Sequence, residues 1–301
     1  MAAARTARCP ACRSTVADPS PRPGRAVTTA PDSPSTLFPA LALSCSAHGV
    51  SVALATAEAG MRPTIECWHE PESAGRSDAL LASVDGLLHA NGVTPSALRL
   101  LCVEVGPGPF TALRMTCSVA QGISFAASVP CVEVWSTEAL ALQAVAGSGP
   151  GRYRVLVAVD ARMGEVYAAT IEIEIAPDGT PAQVLESVAC AAGPPDQIWA
   201  LAGPGRTVQG DAVLLIAGNA CSLVSGFRER LAGEAAVAGW RVEWPAGATV
   251  LRADAVLRVG MSRVRAASLE AVTPRYVRNK VALDVSEQAA ARARAARASG
   301  A

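Results

Sequence analysis

Two segments of the chain, more than a hundred residues apart, share one arrangement of an apolar strand, a short turn and a second strand. Residues 41–57 read LALSCSAHGVSVALATA, and residues 155–175 read VLVAVDARMGEVYAATIEIEI. In each, the turn ends in a glycine, Gly49 or Gly164, and the second strand alternates in polarity, which predicts a β-hairpin. A repeated unit of this size predicts a duplicated fold.

Helices and further strands follow each hairpin. Leu80, Leu81, Val84 and Leu88 share one face of a helix predicted at 77–88, and LRLLCVEV at 98–105 predicts a buried strand,. The loop at 106–109 leads into a helix at 111–127 that Thr111 can cap. In the second half we predict a strand at 212–219. The remaining predicted elements are helices at 194–201, 220–232 and 252–267. Together these elements predict an α/β protein with mixed sheets flanked by helices and a cleft between two halves.

Composition changes divide the chain into four parts. Residues 1–36 are rich in Pro, Ser, Ala and Arg without hydrophobic periodicity, which predicts a disordered extension,. Gly, Ser and Pro cluster at 146–154, so we place a first domain at 37–148 and a second at 149–285. Residues 286–301 are predicted to be a flexible tail.

Charge and hydropathy exclude two classes of protein. The 26 basic residues are balanced by 26 acidic ones, and only four Phe and three Tyr are available to stack on bases, which argues against autonomous RNA binding,. No apolar run reaches the roughly 18 residues of a membrane span. We expect a cytoplasmic protein with no membrane contact.

The cysteines favour a reducing compartment. Nine are scattered through apparent core segments, which is typical of buried thiols rather than a disulfide framework,. Cys9 and Cys12 form one CxxC pair without the second pair of ligands that a structural zinc site needs. We predict no metal site in this chain.

The cleft offers weak candidates for nucleotide binding. In duplicated folds of this kind ATP often binds between the two hairpin turns, near an acidic residue of the first turn. The first turn here, residues 44–49, contains no carboxylate, and Asp160 in the second is either a ligand or a turn-closing group,. The backbone of Gly106 and Gly108 could bind an anion at the start of the following helix, although Pro107 and Pro109 lack N–H donors. A rigid turn is the alternative interpretation.

Catalytic constellations are missing from the sequence. His48, His69 and His89 are about twenty residues apart, so no two share a helical face as metal ligands would,. There is no GxSxG motif, and Ser and Cys residues have no local base partner.

The helix at 111–127 carries many small residues on a broadly apolar surface. Small side chains allow another backbone to approach, and the neighbour is either the domain's own sheet or a partner protein. Arg114, in its first turn, is either a partner for a carboxylate or a solvated residue.

Several motifs together resemble the TsaB (YeaZ) family. GPGPFTALRMTCSVAQGI at 106–123 is similar to the family's GPGSFTGLR-to-AQGL segment, and VAVDARMGEVYAA at 157–169 to its DARRGEVY segment. The opening hairpin, LLIAGNA at 214–220 and TPRYVRNKVA at 273–282 also match, in the right order.

The resemblance implies a duplicated RNase H-like fold of the actin-like (ASKHA) class without catalytic residues of its own. Family members bind the paralogue TsaD, with the ATPase TsaE, to form threonylcarbamoyl-adenosine beside the anticodon of tRNAs that read ANN codons. ATP and a divalent metal are then used by the partner subunits, tRNA contacts this chain only indirectly, and a homodimer forms when the partner is absent. The implied interface lies on two helices and carries Leu80, Leu81, Val84, Leu88, Thr111, Arg114, Ser118, Ala120 and Gly122.

The sequence also departs from the family pattern. The acid-containing start of the first turn is replaced by Ser44-Cys45-Ser46, and Glu104, Val105, Pro109 and Ala112 differ from the family residues. The function we expect is that of a non-catalytic scaffold subunit. The alternative is an active actin-like ATP-dependent phosphotransferase or a glycoprotease-like hydrolase, which would need the acid and paired histidines that this chain lacks.

Overall fold

The structure is a computed structural model that describes residues 37–46, 49–57, 63–71, 77–177, 182–187, 189–205, 212–264, 267–268 and 271–278. The predicted N-terminal extension, residues 1–36, and the predicted tail, residues 286–301, lie outside the described residues, as do Cys9, Cys12 and His48.

The first half is a five-stranded sheet with three helices. Its elements are β1 (Ala40–Ser46), β2 (Gly49–Thr56), β3 (Thr64–Pro71), α1 (Ser77–Ala90), β4 (Leu100–Gly106), α2 (Phe110–Ala127), β5 (Cys131–Trp135) and α3 (Ser136–Ala144). The strand order is β3-β2-β1-β4-β5, in which β1, β2 and β3 are antiparallel and β4 and β5 run parallel to β1.

The second half repeats this plan. Its elements are β6 (Gly151–Arg162), β7 (Glu165–Ile175), β8 (Gln183–Ser187), β9 (Ala191–Gly193), α4 (Ile198–Ala202), β10 (Val213–Ala217), α5 (Ala220–Leu223), α6 (Phe227–Val237), β11 (Arg241–Glu243) and α7 (Ala253–Ser262). Along the main path the order is β8-β7-β6-β10-β11, again an antiparallel meander followed by two parallel strands.

The duplication predicted from the two hairpins is confirmed by this shared topology. The first hairpin closes with Ser46 opposite Gly49 and the second with Arg162 opposite Glu165. In both halves the third strand leads through a helix to the first parallel strand. The sequence pattern therefore identified the repeating unit correctly.

The helices and sheets form five layers. One face of the first sheet packs on α1 and α2, and the outer face of the second sheet packs on α4, α5 and α6. Between the sheets lie α3 and α7, which pack on each other; α3 packs on the second sheet and α7 on the first. The two halves thus share one inner helical layer, and the ends of β1, β4 and β6 meet along it.

Several predicted element boundaries were wrong. Helix α2 begins at Phe110 with Pro109 before it, so Thr111 lies inside the helix, and no side chain caps the helix start. The helix predicted at 220–232 is divided into α5 and α6, because Gly226 adopts a left-handed conformation between them. The helices predicted at 194–201 and 252–267 are shorter, as α4 and α7.

The described cysteines are small residues of the interior. Cys45, Cys102, Cys117 and Cys131 are buried and free, and the other three are partly buried and free. In the part of the chain that the structure describes, no helix has the length and apolarity needed to cross a membrane.

The inner layer leads to a stability prediction at Gly260. A Cβ added to this α7 residue would lie 2.7 Å from the Cβ of Cys102 on β4, and still closer to its sulfur. Overpacking at such a contact costs about 1–3 kcal/mol, so we expect G260A to lower the free energy of unfolding by that amount. Gly233 on α6 has open space around the added Cβ, so G233A is the control, with an expected gain of about 0.5–1 kcal/mol from helix propensity,. Equal urea midpoints for G260A and the wild type would contradict this packing.

Candidate functional site

A buried carboxylate lies where the two halves meet. Glu104, near the end of β4, is 1% exposed. Its Oε2 accepts hydrogen bonds from the Ser44 hydroxyl at 2.7 Å and from the Cys45 backbone N–H at 3.0 Å, and its Oε1 accepts one from the Ser136 hydroxyl at 2.8 Å. One side chain therefore links the ends of β1 and β4 to the start of α3.

Burial controls the protonation of this group. Desolvation raises the pKa of Glu104 above its ordinary value, against the opposing effect of the hydrogen bonds from Ser44, Ser136 and the Cys45 amide,. Burial also raises the pKa of the neighbouring Cys45 thiol to about 12, so that thiol is protonated and is not a nucleophile at neutral pH,.

The cavity at the cleft is small, about 30 Å³. It is lined from the first half by Glu104, Pro107, Gly108, Pro109, Ser136 and Leu140, and from the second half by Val159, Asp160, Asn219, Thr249 and Leu251. Small-molecule sites usually measure about 300–1,000 Å³, so in this arrangement of the two halves the cavity has room for little more than a water molecule.

The three residues proposed for anion contact, Gly106, Gly108 and Asp160, lie at or beside this cleft. An added Cβ on Gly108 would be 3.8 Å from Oε1 of Glu104, so a carboxyl group already lies beneath the loop, and its ionised form opposes the binding of an anion,. Asp160 accepts a hydrogen bond from the Arg162 backbone N–H at 2.9 Å, which is the turn-closing interaction that the sequence offered as an alternative,. Nucleotide contact at these residues stays a prediction.

The nine residues predicted at a partner interface divide into two groups by burial. Leu80, Val84, Leu88 and Ala120 are buried in the core between the first sheet and helices α1 and α2. A side chain that packs on its own sheet cannot also contact a partner, so these four residues hold α1 and α2 against the first sheet.

The other predicted interface residues are exposed, and four of them lie with an exposed ring on one side of α2, while Leu81 is exposed on the neighbouring helix α1,. We define the α1–α2 face as the exposed residues Leu81, Thr111, Arg114, Ser118, Gly122 and Phe125. Leu81 is 51% exposed and Phe125, which the sequence reasoning did not assign to the interface, is 91% exposed. An exposed apolar ring beside small residues on one side of a helix gives another protein a surface to pack against.

A C-terminal strap, residues 271–278, runs beside this face. The Gln121 side-chain amide donates to the Val272 carbonyl at 2.6 Å, and the Arg275 backbone N–H donates to the Val105 carbonyl at 2.8 Å. The Arg275 guanidinium binds Glu133 through two nitrogens. At the end of the strap Arg278 binds Glu165 in the second half at 2.9 Å.

No described cluster of three or more His, Cys, Asp or Glu residues is placed to hold a metal ion. Of the three histidines, His69 lies on β3 and His89 near the end of α1.

Comparison with known proteins shows what this chain is similar to. Residues 70–205, which include α1, α2 and the second hairpin, match the family model described as TsaD, tRNA N6-adenosine threonylcarbamoyltransferase. The chain is also 36% identical over 88 residues to the tRNA threonylcarbamoyladenosine biosynthesis protein TsaB of Escherichia coli, and 33% identical over 88 residues to that of Haemophilus influenzae.

Those two matches cover 29% of this chain and 37% and 36% of the relatives, so the chain spans little more than a third of the length of the curated relatives it matches. A crystal structure of a Pseudomonas aeruginosa protein, described as uncharacterized with similarity to peptidase YeaZ, is 27% identical. It superposes with a TM-score of 0.60 over 79% of this chain and 99% of its own.

The repeated sheets with their shared helical layer define a protein of the actin-like, RNase H-like class. Within that class, the chain is similar to two TsaB proteins over 88 residues and to the YeaZ structure over most of its described length.

Sequence reasoning named Glu104 only as a departure from the family pattern and did not find its role. The available signal was a single charged residue inside the otherwise apolar run LLCVEV at 100–105. A buried charge needs partners, and those partners, Ser44 and Ser136, are distant in the sequence,. The structure shows that a carboxylate does lie at the first hairpin turn, supplied by β4 instead of by the turn itself.

Proposed function

We propose that this chain is a non-catalytic scaffold subunit for the formation of threonylcarbamoyl-adenosine in tRNAs that read ANN codons. In this role it binds a TsaD-like paralogue, which carries out the transfer, and works with a TsaE-like ATPase. ATP and a divalent metal belong to those partners, and tRNA contacts this chain only through the assembled complex. The names of the two curated relatives support this biosynthetic role.

The observation that carries the proposal is the α1–α2 face. Beneath it the leucines and valines of α1 and the small residues of α2 are buried on the first sheet, so the fold is complete without a partner. Above it Phe125 of α2 and Leu81 of the neighbouring α1 remain exposed. Ser118 and Gly122, on the same side of α2 as Phe125, have small side chains that allow another helix to approach closely,. Such a face has an apolar rim and room for a helix from a second protein.

The cleft supports a structural role for the interior of this chain. The carboxylate at the first turn is buried and fully engaged with Ser44, Cys45 and Ser136. The cavity beside it, at about 30 Å³, is well below the size of a nucleotide site,. On this proposal the chemistry takes place in the partner, and this chain stabilises the partner's active arrangement.

Reconstitution tests the proposal. The TsaD-like and TsaE-like proteins of the same organism would be incubated with tRNA, ATP, Mg²⁺ and the threonylcarbamoyl donor, with and without this chain, and the modified nucleoside measured by mass spectrometry. We expect modification only when this chain is present. Equal modification without it would contradict the scaffold role, and ATP hydrolysis by this chain alone would favour the phosphotransferase alternative.

A further inference from the structure

The guanidinium of Arg114 is held in place by two aromatic residues. Its carbon lies 4.0 Å from the centre of the Phe110 ring, and its Nε donates a hydrogen bond to the Tyr276 hydroxyl at 2.9 Å. Phe110 and Tyr276 also stack on each other, with ring centres 5.1 Å apart and planes inclined by 27°. Arg114 therefore loses little conformational freedom when it binds a further group.

The strap fixes the position of Tyr276. Its neighbour Arg275 donates to the Val105 carbonyl and forms two bonds to Glu133. Near the start of the strap, Val272 is buried and its carbonyl accepts a hydrogen bond from Gln121 of α2. Tyr276 itself is 45% exposed. The strap thus supplies one wall of a small surface site whose other wall is the first turn of α2.

Arg114 has no anionic partner within the described part of the chain. Eight other described arginines form ion pairs: Arg152, Arg154, Arg162, Arg241, Arg252, Arg263, Arg275 and Arg278. Arg114 is exposed, and its bond to Tyr276 uses only Nε. The two terminal nitrogens remain free to donate together, which is the fork geometry that carboxylates accept.

The site is continuous with the α1–α2 face. Arg114, Ser118, Gly122 and Phe125 are exposed at helical spacing along one side of α2,. With a rise of 1.5 Å per residue, Arg114 and Phe125 stand about 16 Å apart along the helix axis. A helix docked along this stripe would meet a cation at one end, small residues in the middle and an exposed ring at the other end.

We propose that Arg114, held by Phe110 and Tyr276, is the binding site for an Asp or Glu side chain on a helix of the partner protein. This inference rests on the proposed function and adds the chemistry of the contact. The match of residues 70–205 to the TsaD model implies that the partner has the same fold and presents equivalent helices. The bound helix carries its carboxylate about 16 Å from an apolar pocket that receives Phe125.

The test uses titration calorimetry to measure how tightly the TsaD-like protein of the same organism binds five forms of this chain. These are the wild type, R114Q, R114K, Y276F and R99Q. We expect R114Q to weaken binding about 10- to 100-fold and R114K about 5- to 10-fold, because lysine keeps the charge but loses the fork. Y276F keeps the ring and removes the hydroxyl, so a loss of about threefold is expected. Arg99 is exposed and has no ion pair among the described residues, so R99Q should bind like the wild type.

Salt dependence and charge reversal test whether Arg114 binds its partner through an ion pair. Raising the salt from 50 to 500 mM should weaken the wild type more than R114Q, because the charge pair is then screened. Binding lost in R114D should be restored by an acid-to-arginine substitution at one position of the partner's docking helix.

The outcomes separate this inference from the function on which it rests. If the wild type binds and R114Q binds equally well, the inference is wrong and the scaffold function stands; if the wild type itself fails to bind, the proposed function fails with it. A loss confined to tRNA binding would assign Arg114 to phosphate instead. A loss confined to self-association would assign it to a second copy of this chain. Both of these results overturn the proposal.

Discussion

Replacement of Glu104 by alanine is expected to lower the free energy of unfolding by about 2–4 kcal/mol, since it creates a cavity and leaves three buried donors without their acceptor. Those donors are the hydroxyls of Ser44 and Ser136 and the backbone N–H of Cys45. Their hydrogen bonds to Glu104 connect β1, β4 and α3, so the substitution removes stabilising contacts at the place where the two halves meet. Urea unfolding at pH 7, followed by circular dichroism, measures it.

E104Q is the matched control for this prediction. Glutamine has the same shape, its carbonyl can accept from Ser44 and Cys45, and its amide can donate to the Ser136 hydroxyl. At pH 7 we therefore expect E104Q to be at least as stable as the wild type, because it also removes the cost of burying a charge.

The difference in stability between E104Q and the wild type changes with pH in a direction that the pKa of Glu104 determines. Because burial raises the pKa of Glu104, the folded protein holds the proton more tightly than the unfolded chain. The contribution of protonated Glu104 to the free energy of unfolding is therefore fully present below the ordinary pKa of about 4.3. It is lost as the pH rises through the folded-state pKa. The stability of E104Q relative to the wild type should increase from pH 5 to pH 8. Parallel stability curves would show that Glu104 is not desolvated, and an E104A protein as stable as E104Q would show that its hydrogen bonds contribute nothing.

The second prediction concerns Gly122 on the α1–α2 face. We expect G122W to weaken binding of the TsaD-like protein at least about 100-fold, because the indole would occupy the space that a docking helix needs. Outside its own helix backbone, an added Cβ at Gly122 meets no atom of the described residues within 4 Å, so we expect the substitution to leave the fold intact. Co-elution in size-exclusion chromatography and calorimetric titration measure the effect.

G233W is the matched control for G122W. Gly233 is also an exposed helical glycine, and among the described residues an added Cβ there meets no atom within 4 Å beyond its own helix backbone, but it lies on α6 in the second half. The G233W variant should bind the TsaD-like protein as tightly as the wild type does. Ala120 is unsuitable for this test because it is fully buried, and a tryptophan there would disrupt the core,. Full binding by G122W, or equal losses in G122W and G233W, would place the partner elsewhere.

The architecture could be predicted from the sequence because its signals are local. Each hairpin shows in the sequence as alternation of polarity beside a glycine turn. Helix α1 shows as apolar residues at helical spacing, of which all but Leu81 are buried. The strand β3 was missed because Thr64–Pro71 contains Glu66, His69 and Glu70 and no clear apolar period. Helix α3 was missed because nearly all of its residues are buried between the sheets, so it has no polar stripe.

The site could be predicted only in part because its contacts are not local. The family resemblance implied an interface on the two helices that carry Leu81, Arg114 and Gly122, but it could not show which residues those helices bury. Arg114 meets Tyr276 across 162 positions, and Glu104 meets Ser44 across 60. Contacts at such separations depend on the path of the strap and on the order of the strands, and a short sequence pattern predicts neither.

The most direct test of the scaffold proposal is size-exclusion chromatography with light scattering on this chain alone, on the TsaD-like protein of the same organism, and on their mixture. We predict that the mixture forms a new complex with the mass of one copy of each chain, and that G233W joins it while G122W does not. If the two proteins elute separately, with and without ATP, the scaffold account is contradicted.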